Sequence, residues 1–187
     1  KAMKNGLSVE IGQHAALIDD FYRIFSRNMR LLGSPVHSKA LFEHIVSHYG
    51  AAAKVAVVYL NGEATAAGIV LTNGKLAAIP WASSLVEYNR LAPNMLLYWS
   101  LLAECADEGI ETFDFGRSTF NEGTFQFKKQ WGAKPVQHYW YYPMSDQQSL
   151  PQLNPDNPKF LLAIKCWKML PLWITKLIGP AIVRNLP

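Results

Sequence analysis

Two Asn-Gly dipeptides, Asn61-Gly62 and Asn73-Gly74, constrain the fold of this chain more than any other feature. Asn-Gly is a strong signal for a two-residue β-hairpin, because both residues tolerate the positive φ angles that such a turn needs. The dipeptides separate three apolar segments with the composition of strands: 54–60, 64–72 and 75–82. The sequence therefore predicts an antiparallel meander of three strands in the middle of the chain.

Helical periodicity surrounds this meander. Apolar residues recur every three or four positions over three segments, which are 14–32, 38–49 and a stretch from Arg90 or Ala92 to Gly109. Later segments predict a strand, a short helix and a last strand, at 111–115, 124–131 and 134–142. Residues 1–13 show no clear pattern and are interpreted as a leftover linker strand. This order predicts an α+β fold with a central, mostly antiparallel, twisted sheet flanked by helices.

Composition divides the 187 residues into three parts. We expect one domain over 1–143, a Pro-rich linker over 144–158 and a basic, apolar helical tail over 159–187. The tail holds five basic residues and no acidic one, so the net charge of +4 leaves the rest of the chain slightly negative. A nucleic-acid-binding domain would carry its positive charge on the domain itself, and that class is excluded.

A predicted strand–turn–helix over 113–132 contains the largest group of candidate functional residues. Three charges, Asp114, Arg117 and Lys128, stand among aromatic residues, and charges beside apolar surface need partners. Arg117 and Ser118 follow the strand directly, where ligands commonly bind in open α/β sheets. Two interpretations stay open from the residues alone: a structural Asp–Arg pair that joins strand to helix, or a ligand site.

Several motifs resemble the FemAB-like proteins of the GNAT acyltransferase superfamily, in particular the FemAB-related subgroup associated with exopolysaccharide and exosortase (PEP-CTERM) systems. The resemblance covers about residue 21 to the end. Its motifs are Asn28-Met29-Arg30-Leu31-Leu32-Gly33-Ser34-Pro35, Pro80-Trp81-Ala82-Ser83-Ser84, Pro93-Asn94-Met95-Leu96-Leu97-Tyr98-Trp99, Asp114-Phe115-Gly116-Arg117-Ser118, Gly123, Phe127-Lys128 and Trp131-Gly132-Ala133.

The resemblance implies a GNAT-like fold, with this chain similar to the second of the two GNAT-like halves that FemAB-like proteins carry. It implies transfer of an acyl or aminoacyl group to an amine of a glycan or peptide precursor of the cell envelope or of an exopolysaccharide. The candidate catalytic residues are Arg117, Asp114 and Ser118. The candidate substrate-binding residues are Asn28, Arg30, Trp81, Ser83, Asn94, Lys128 and Trp131.

The acyl donor stays open. Acetyl-CoA-using members of the superfamily bind pyrophosphate at a Gly-rich turn before the central helix, where free N–H groups meet the helix dipole. This chain has no glycine over 88–93, and Pro93 removes one N–H. We therefore predict no resident cofactor and no tight binding of coenzyme A. The donor stays unknown, with an acyl-CoA and an aminoacyl-tRNA as candidates.

A function of another class competes with the enzyme: a non-catalytic GNAT-fold module that docks to a membrane or to an export or polysaccharide assembly. The histidines show no metal-ligand spacing, so no metal site is predicted. We expect a cytoplasmic protein, with the tail as a peripheral anchor on the inner membrane, because it combines basic residues, tryptophan and apolar residues. The competing expectation is that the tail packs on the other GNAT-like half that FemAB-like proteins carry, or on a second copy of the chain in a homodimer.

Overall fold

A computed structural model describes residues 1–139, 141–142 and 158–184, with the backbone alone at 158–160. The chain divides into two compact units. The first comprises 1–116 with 164–187, and the second comprises 117–163. Each unit is described by itself below.

The first unit is built on a five-stranded sheet in the order β1-β2-β3-β4-β5. The first four strands are antiparallel neighbours, and β5 runs parallel to β4. The strands are β1 (Leu7–Gly12), β2 (Ala53–Leu60), β3 (Glu63–Asn73), β4 (Leu76–Ser84) and β5 (Thr112–Asp114). Its helices before β5 are α1 (Ala15–Leu32), α2 (Lys39–Tyr49) and α3 (Pro93–Asp107), the last of which crosses from β4 to β5.

The predicted meander is confirmed as β2, β3 and β4. The first turn is Asn61-Gly62, and both residues have positive φ angles of 50° and 82°, as the two-residue hairpin requires. The second turn differs by one residue, because Asn73 pairs with Leu76 and the turn residues are Gly74 and Lys75. Gly74, with φ of 58°, takes the first central position that a type II′ turn reserves for glycine.

The segment interpreted as a leftover linker contains an integral strand of the sheet. After a 3₁₀ turn at Met3–Asn5, β1 pairs along its whole length with β2. Its side chains are mostly exposed or half-buried, with only Leu7 fully buried. Leu7, Val9 and Ile11 nevertheless alternate with the polar residues between them, so the sequence carries the period-2 pattern of a strand and the interpretation as a linker overlooked it.

Both faces of the sheet are covered by helices. Val55 and Val57 of β2 belong to the core cluster formed with α1 and α2. Side chains alternate along a strand, so the buried residues Ala56 and Val58 face the opposite side. Because α3 packs on β2 and β3, it covers that second face. This double burial explains why β2 and β3 are apolar along almost their whole length.

Aromatic rings form the centre of the α1–α2 side. Phe21 of α1 is fully buried, with its ring centroid 5.4 Å from that of Phe25 and 5.0 Å from that of Phe42. Phe42 of α2 in turn meets the ring of Trp81 edge-on at 5.2 Å. Rings at these separations add attraction beyond the area they bury, so the cluster fixes α1 and α2 on the sheet.

Two helices occupy the region predicted as a helical tail: α5 (Pro158–Met169) and α6 (Leu172–Val183). From Ile164 onward they belong to the first unit and pack on α1 and the turn after it. A Cβ added at Gly33 would lie 2.5 Å from Ile164 Cγ2, and one added at Gly179 would lie 2.8 Å from the Val36 carbonyl oxygen. The tail therefore packs on this chain's own first helix, an arrangement that neither tail hypothesis specified.

The second unit contains α4 (Gly123–Gln130), which confirms the short helix predicted at 124–131. The last strand predicted over 134–142 is wrong for the described residues, since none of 134–139, 141 and 142 is in a strand. Val136 and Tyr139 are strongly exposed, so alternation of apolar residues here does not mark a half-buried strand. Trp140 and most of the predicted linker lie outside the described residues.

Candidate active site

The sheet opens between β4 and β5. These two strands pair only where Leu76, Ala77 and Ala78 face Thr112, Phe113 and Asp114. Strand β5 ends at Asp114, whereas β4 continues to Ser84. In the part of the chain that the structure describes, the later half of β4 has no strand partner on its β5 side. Ligands bind at the carboxyl ends of the strands in open α/β sheets, so this end of the β4–β5 pair is the candidate site.

A β-bulge in β4 lies at the point where the strands separate. Leu71 of β3 pairs with Ala78 and Ile69 pairs with Trp81, so Ile79 and Pro80 both stand opposite the single residue Val70. A bulge bends its strand and leaves one residue out of the ladder. A Cβ added at Gly116 would lie 4.0 Å from the Ile79 carbonyl oxygen, so the chain that leaves β5 passes beside this bulge.

Three candidate substrate-binding residues come together on the α1–α2 face of β4. Trp81 and Ser83 pair in register with Ile69 and Ala67, which belong to the core beneath α1, and therefore face the same side. The Asn28 side-chain amide donates to Ser83 Oγ at 3.1 Å, across 55 positions of sequence. The structure thus joins the end of α1 to the open half of β4 through a polar contact at residues that the sequence also singled out.

An ion pair that sequence reasoning missed lies next to Asn28. Arg27 Nη2 contacts Glu87 Oε1 at 2.8 Å, and Glu87 belongs to a 3₁₀ segment, Val86–Leu91, between β4 and α3. The Glu87 side chain is 46 % exposed, so it is open to an incoming group. No periodicity or motif distinguishes Glu87 in the sequence, because its partner is 60 positions away.

The start of α3 carries Asn94 on an unusual backbone. Ala92, just before the helix, has φ of 62° and ψ of 46°, a left-handed conformation that costs a non-glycine residue energy. Pro93 follows at the first helical position, and no side chain caps the first turn. The helix start therefore holds, at Ala92, a backbone conformation that glycine adopts more readily, although residues 88–93 contain no glycine.

Tyr98 lies further along α3 and packs on the chain that leaves β5. Its ring stacks on Phe115, with centroids 5.8 Å apart and planes 1° from parallel. Burial raises the pKa of Tyr98 to about 12. The phenol is therefore neutral at physiological pH and keeps its proton for donation.

Asp114, a candidate catalytic residue, holds the turn after β5. Its Oδ1 accepts a hydrogen bond from the Gly116 backbone N–H at 2.7 Å, and Gly116 has φ of 72°. This contact closes an Asx turn, in which the carboxylate substitutes for a backbone carbonyl. The predicted pairing of Asp114 with Arg117 stays a prediction.

The second unit brings together the other candidates of the strand–turn–helix motif. Lys128 Nζ donates to the Arg117 backbone carbonyl at 2.8 Å, which joins α4 to the loop before it. Trp131 follows α4 and lies edge-on to Phe127, with centroids 6.3 Å apart. Ser118 Oγ is inaccessible to solvent. Arg117, Ser118, Lys128 and Trp131 therefore belong to one compact unit, and their roles stay predictions.

Arg30 makes a different contact from its neighbour Asn28. Its Nε donates to the Leu170 carbonyl at 2.6 Å, directly after α5. A cation at the carboxyl end of a helix stabilises its unpaired carbonyls. Arg30 thus links α1 to the C-terminal helices, while its predicted role in binding substrate is untested.

Among the residues that the structure describes, no group of three or more His, Cys, Asp and Glu side chains is arranged to hold a metal ion. The same described ranges contain no helix long and apolar enough to cross a bilayer.

The mixed sheet separates beside the crossover helix α3, and Asn28 and Ser83 place polar groups at the open half of β4. The family model described as Acetyltransferase (GNAT) domain matches residues 1–129, and the chain belongs to this family. It is therefore an acyltransferase, of a family that acts on amines or other small molecules with an acyl-CoA donor. None of the curated proteins searched matches the sequence.

Solved structures share the fold at low sequence identity. The aminoglycoside acetyltransferase meta-AAC0020 from an uncultured soil metagenomic sample aligns with a TM-score of 0.60 and 14 % identity over 76 % of this chain and 99 % of its own. The ribosomal-protein-S18-alanine N-acetyltransferase from Escherichia coli gives 0.60 and 18 % over 75 % and 86 %. FemX gives 0.62 and 15 % over 70 % of this chain and 51 % of its own. At these identities the likeness shows the fold.

Proposed function

We propose that this protein is a FemAB-like N-acyltransferase that transfers an acyl or aminoacyl group to an amine of a cell-envelope or exopolysaccharide precursor. Its place of action is the cytoplasmic face of the inner membrane. The motifs shared with the FemAB-related, exosortase-associated subgroup support the acceptor class. The opening of the sheet at the β4 bulge is the observation that supports the chemistry.

The opening suits an acyl transfer because it gives the acyl carbonyl access to backbone groups of β4. A tetrahedral intermediate needs hydrogen-bond donors fixed in advance, which are commonly backbone N–H groups. The bulge at Ile79–Pro80 takes backbone out of the regular ladder where β4 and β5 separate. Pro80 has no N–H, so neighbouring residues of β4 supply the donors in this proposal.

The acceptor amine approaches from the α1–α2 face, where Asn28, Trp81 and Ser83 meet. The Asn28 amide orients the hydroxyl or amide neighbours of the amine, and the buried Ser83 hydroxyl accepts from Asn28 and fixes its position. The half-buried Trp81 ring lies on the same face of β4. Glu87 attracts the ammonium group and accepts its proton as general base. Its exposure makes it accessible, and the contact with Arg27 Nη2 at 2.8 Å fixes its position beside α1.

The donor binds from the α3 side, where Asn94 lies in the first turn of the helix. The left-handed Ala92 and the following Pro93 change which N–H groups this helix start presents, and this supports weak binding of coenzyme A. Within the second unit, Arg117, Lys128 and Trp131 are proposed to recognise the anionic part of the donor or of the precursor. Ser118, whose Oγ is inaccessible to solvent, is not assigned to this contact. Aminoacyl-tRNA remains the alternative to acyl-CoA as the donor.

The test is a matrix of donors and acceptors. The purified chain is incubated with acyl-CoAs or aminoacyl-tRNAs and with amino-sugar nucleotides or amine-containing peptides, and products are followed by mass. We expect Glu87→Gln to lower kcat by about 10²-fold or more, as removal of a general base does, and Asn28→Ala to raise KM. Lys75→Gln is the matched control, because its exposed pair with Glu111 lies at the closed end of β4.

Two results would contradict the proposal. Unchanged kcat in Glu87→Gln across the pH range would remove Glu87 as the base. Failure of every donor–acceptor pair with folded protein would favour the non-catalytic module instead. For the donor, calorimetry is expected to show no tight coenzyme A binding. Micromolar affinity that substitutions within 88–94 abolish would overturn this part.

A further inference from the structure

Helix α6 packs on the protein with a face of small residues. Thr175 and Gly179 are its buried residues, and they stand four positions apart on one face against α1 and Val36. Trp173 and Leu177 are also four positions apart but are 66 % and 70 % exposed. Because residues two positions apart are separated by about 200° around a helix, these two pairs occupy opposite faces. The helix therefore buries its small side chains and presents its large apolar ones.

This exposure is not a sign of loose packing. A Cβ at Gly179 would lie 2.8 Å and 2.9 Å from the Val36 backbone oxygen and nitrogen, so the two backbones touch. Thr175 Oγ1 is satisfied by the Leu172 carbonyl at 2.8 Å. Lys176 Nζ lies 4.9 Å from the centre of the Tyr22 ring. The inner face is fixed by these contacts, so the outer apolar face is a stable surface.

The outer face carries Trp173 and Leu177, with Ile178 at its border. Met169, at the end of α5, is exposed as well. Large apolar side chains that stay exposed on one helix face mark an interaction site in a folded protein. Helices α5 and α6 also lie outside residues 1–129, the part matched by the family model, so the catalytic fold does not account for this surface.

The charge around this face identifies the occupant. Lys165, Lys168 and Arg184 are exposed, and residues 157–187 contain no acid. Arg184 follows Leu177 by seven positions and so ends the same face of the helix. A second copy bound through a two-fold axis would oppose identical positive charges, which is unfavourable. Protein interfaces are also depleted in lysine, whereas anionic lipid attracts it.

We propose that the outer face of α6, with the basic residues that flank it, is a docking surface for an anionic lipid bilayer. The helix has 12 residues, or about 18 Å at 1.5 Å per residue, and lies in the interface plane with Trp173 and Leu177 entering the acyl boundary. This deepens the membrane location given under the proposed function, but its test does not require catalysis.

The experiment is flotation of the whole chain with vesicles of phosphatidylcholine alone or mixed with phosphatidylglycerol, at low and high salt. Wild type is expected to float with the phosphatidylglycerol vesicles, less so at high salt. Trp173→Glu/Leu177→Glu is expected to lower the partition coefficient by more than tenfold with an unchanged circular dichroism spectrum, since each buried large side chain is worth about tenfold. Met3→Glu/Tyr49→Glu, which adds the same charge at exposed apolar residues elsewhere, is the matched control and should float.

Two outcomes overturn the proposal. One is wild type that stays with neither vesicle while sedimentation shows a monomer. The other is a concentration-dependent dimer that Trp173→Glu/Leu177→Glu dissociates, which would make the face an interface between copies. Acyl transfer to a water-soluble acceptor is measured in parallel and should be unchanged in the double variant. A chain that floats but does not catalyse contradicts only the proposed function.

Discussion

Helices α1 and α6 pack against each other but follow opposite rules. Helix α1 buries its large apolar residues, including Phe21, and turns charged residues such as Arg23 to solvent. Helix α6 buries Thr175 and Gly179 and exposes Trp173 and Leu177. The first pattern suits a helix between a core and water. The second suits a helix between a protein surface and another apolar phase. The comparison therefore separates a helix whose outer face suits water from one whose outer face suits the proposed bilayer contact.

The largest effect that sharpens this comparison comes from the core face of α1. Phe21→Ala removes a fully buried ring between Phe25 and Phe42 and is expected to lower the free energy of unfolding by about 3–5 kcal/mol. Urea denaturation followed by circular dichroism measures it. A loss of less than about 1 kcal/mol would mean that α1 is not held by its aromatic cluster.

The next effect tests the face of α6 that carries the small residues Thr175 and Gly179. Gly179→Val places side-chain atoms against the Val36 backbone, which cannot rotate away, and is expected to cost about 1–3 kcal/mol. Ala181→Val, on the exposed side of the same helix, is the matched control and should change stability by less than about 0.5 kcal/mol. Equal effects of the two substitutions would show that α6 does not pack closely on α1.

A smaller effect concerns the link between the two helices. Arg30→Gln removes the hydrogen bond from Arg30 Nε to the Leu170 carbonyl and is expected to cost about 1–2 kcal/mol. Arg23→Gln, which breaks an exposed pair with Asp20, is the comparison and should cost no more than about 1 kcal/mol. Faster amide exchange at the end of α5 in Arg30→Gln alone would locate the effect, whereas equal exchange in both variants would contradict it.

The smallest effect is the decisive one for α6. Leu177→Ala is expected to change the free energy of unfolding by less than about 0.5 kcal/mol in the absence of vesicles, because the side chain is 70 % exposed. The same urea titration serves as the measurement. A cost near that of Phe21→Ala would show that the outer face is already covered within the protein or by a second copy, and the comparison would fail.

Local chemistry predicted most of the fold. The Asn-Gly turns and the periodicity of α1, α2 and α3 are properties of neighbouring residues, and all three helices lie close to the predicted bounds. Strand β1 was assigned to a linker although Leu7, Val9 and Ile11 alternate with polar residues, because the alternation covers only five positions at the start of the chain. The last strand was wrong because alternating residues near Val136 are exposed, so their spacing carried no information about burial.

The candidate site was predictable only where motifs marked it. Asn28, Trp81 and Ser83 were named from a family resemblance, but only the folded chain shows that Asn28 contacts Ser83. Glu87 has no signal of its own, since its partner Arg27 is distant in sequence. The packing of α6 could not be predicted from the sequence either. The helix is apolar on most sides, so its sequence does not indicate that the face with Gly179 is the one that packs on Val36.

The open half of β4 has a consequence for solubility. An unpaired strand border is a template on which a strand of another molecule can add, and such additions lead to aggregation. Pro80 removes one donor from this border, and the bulge at Ile79–Pro80 breaks the regular spacing that an added strand would need. The irregularity that leaves room for a substrate therefore also makes the same border a poor place for another chain to bind.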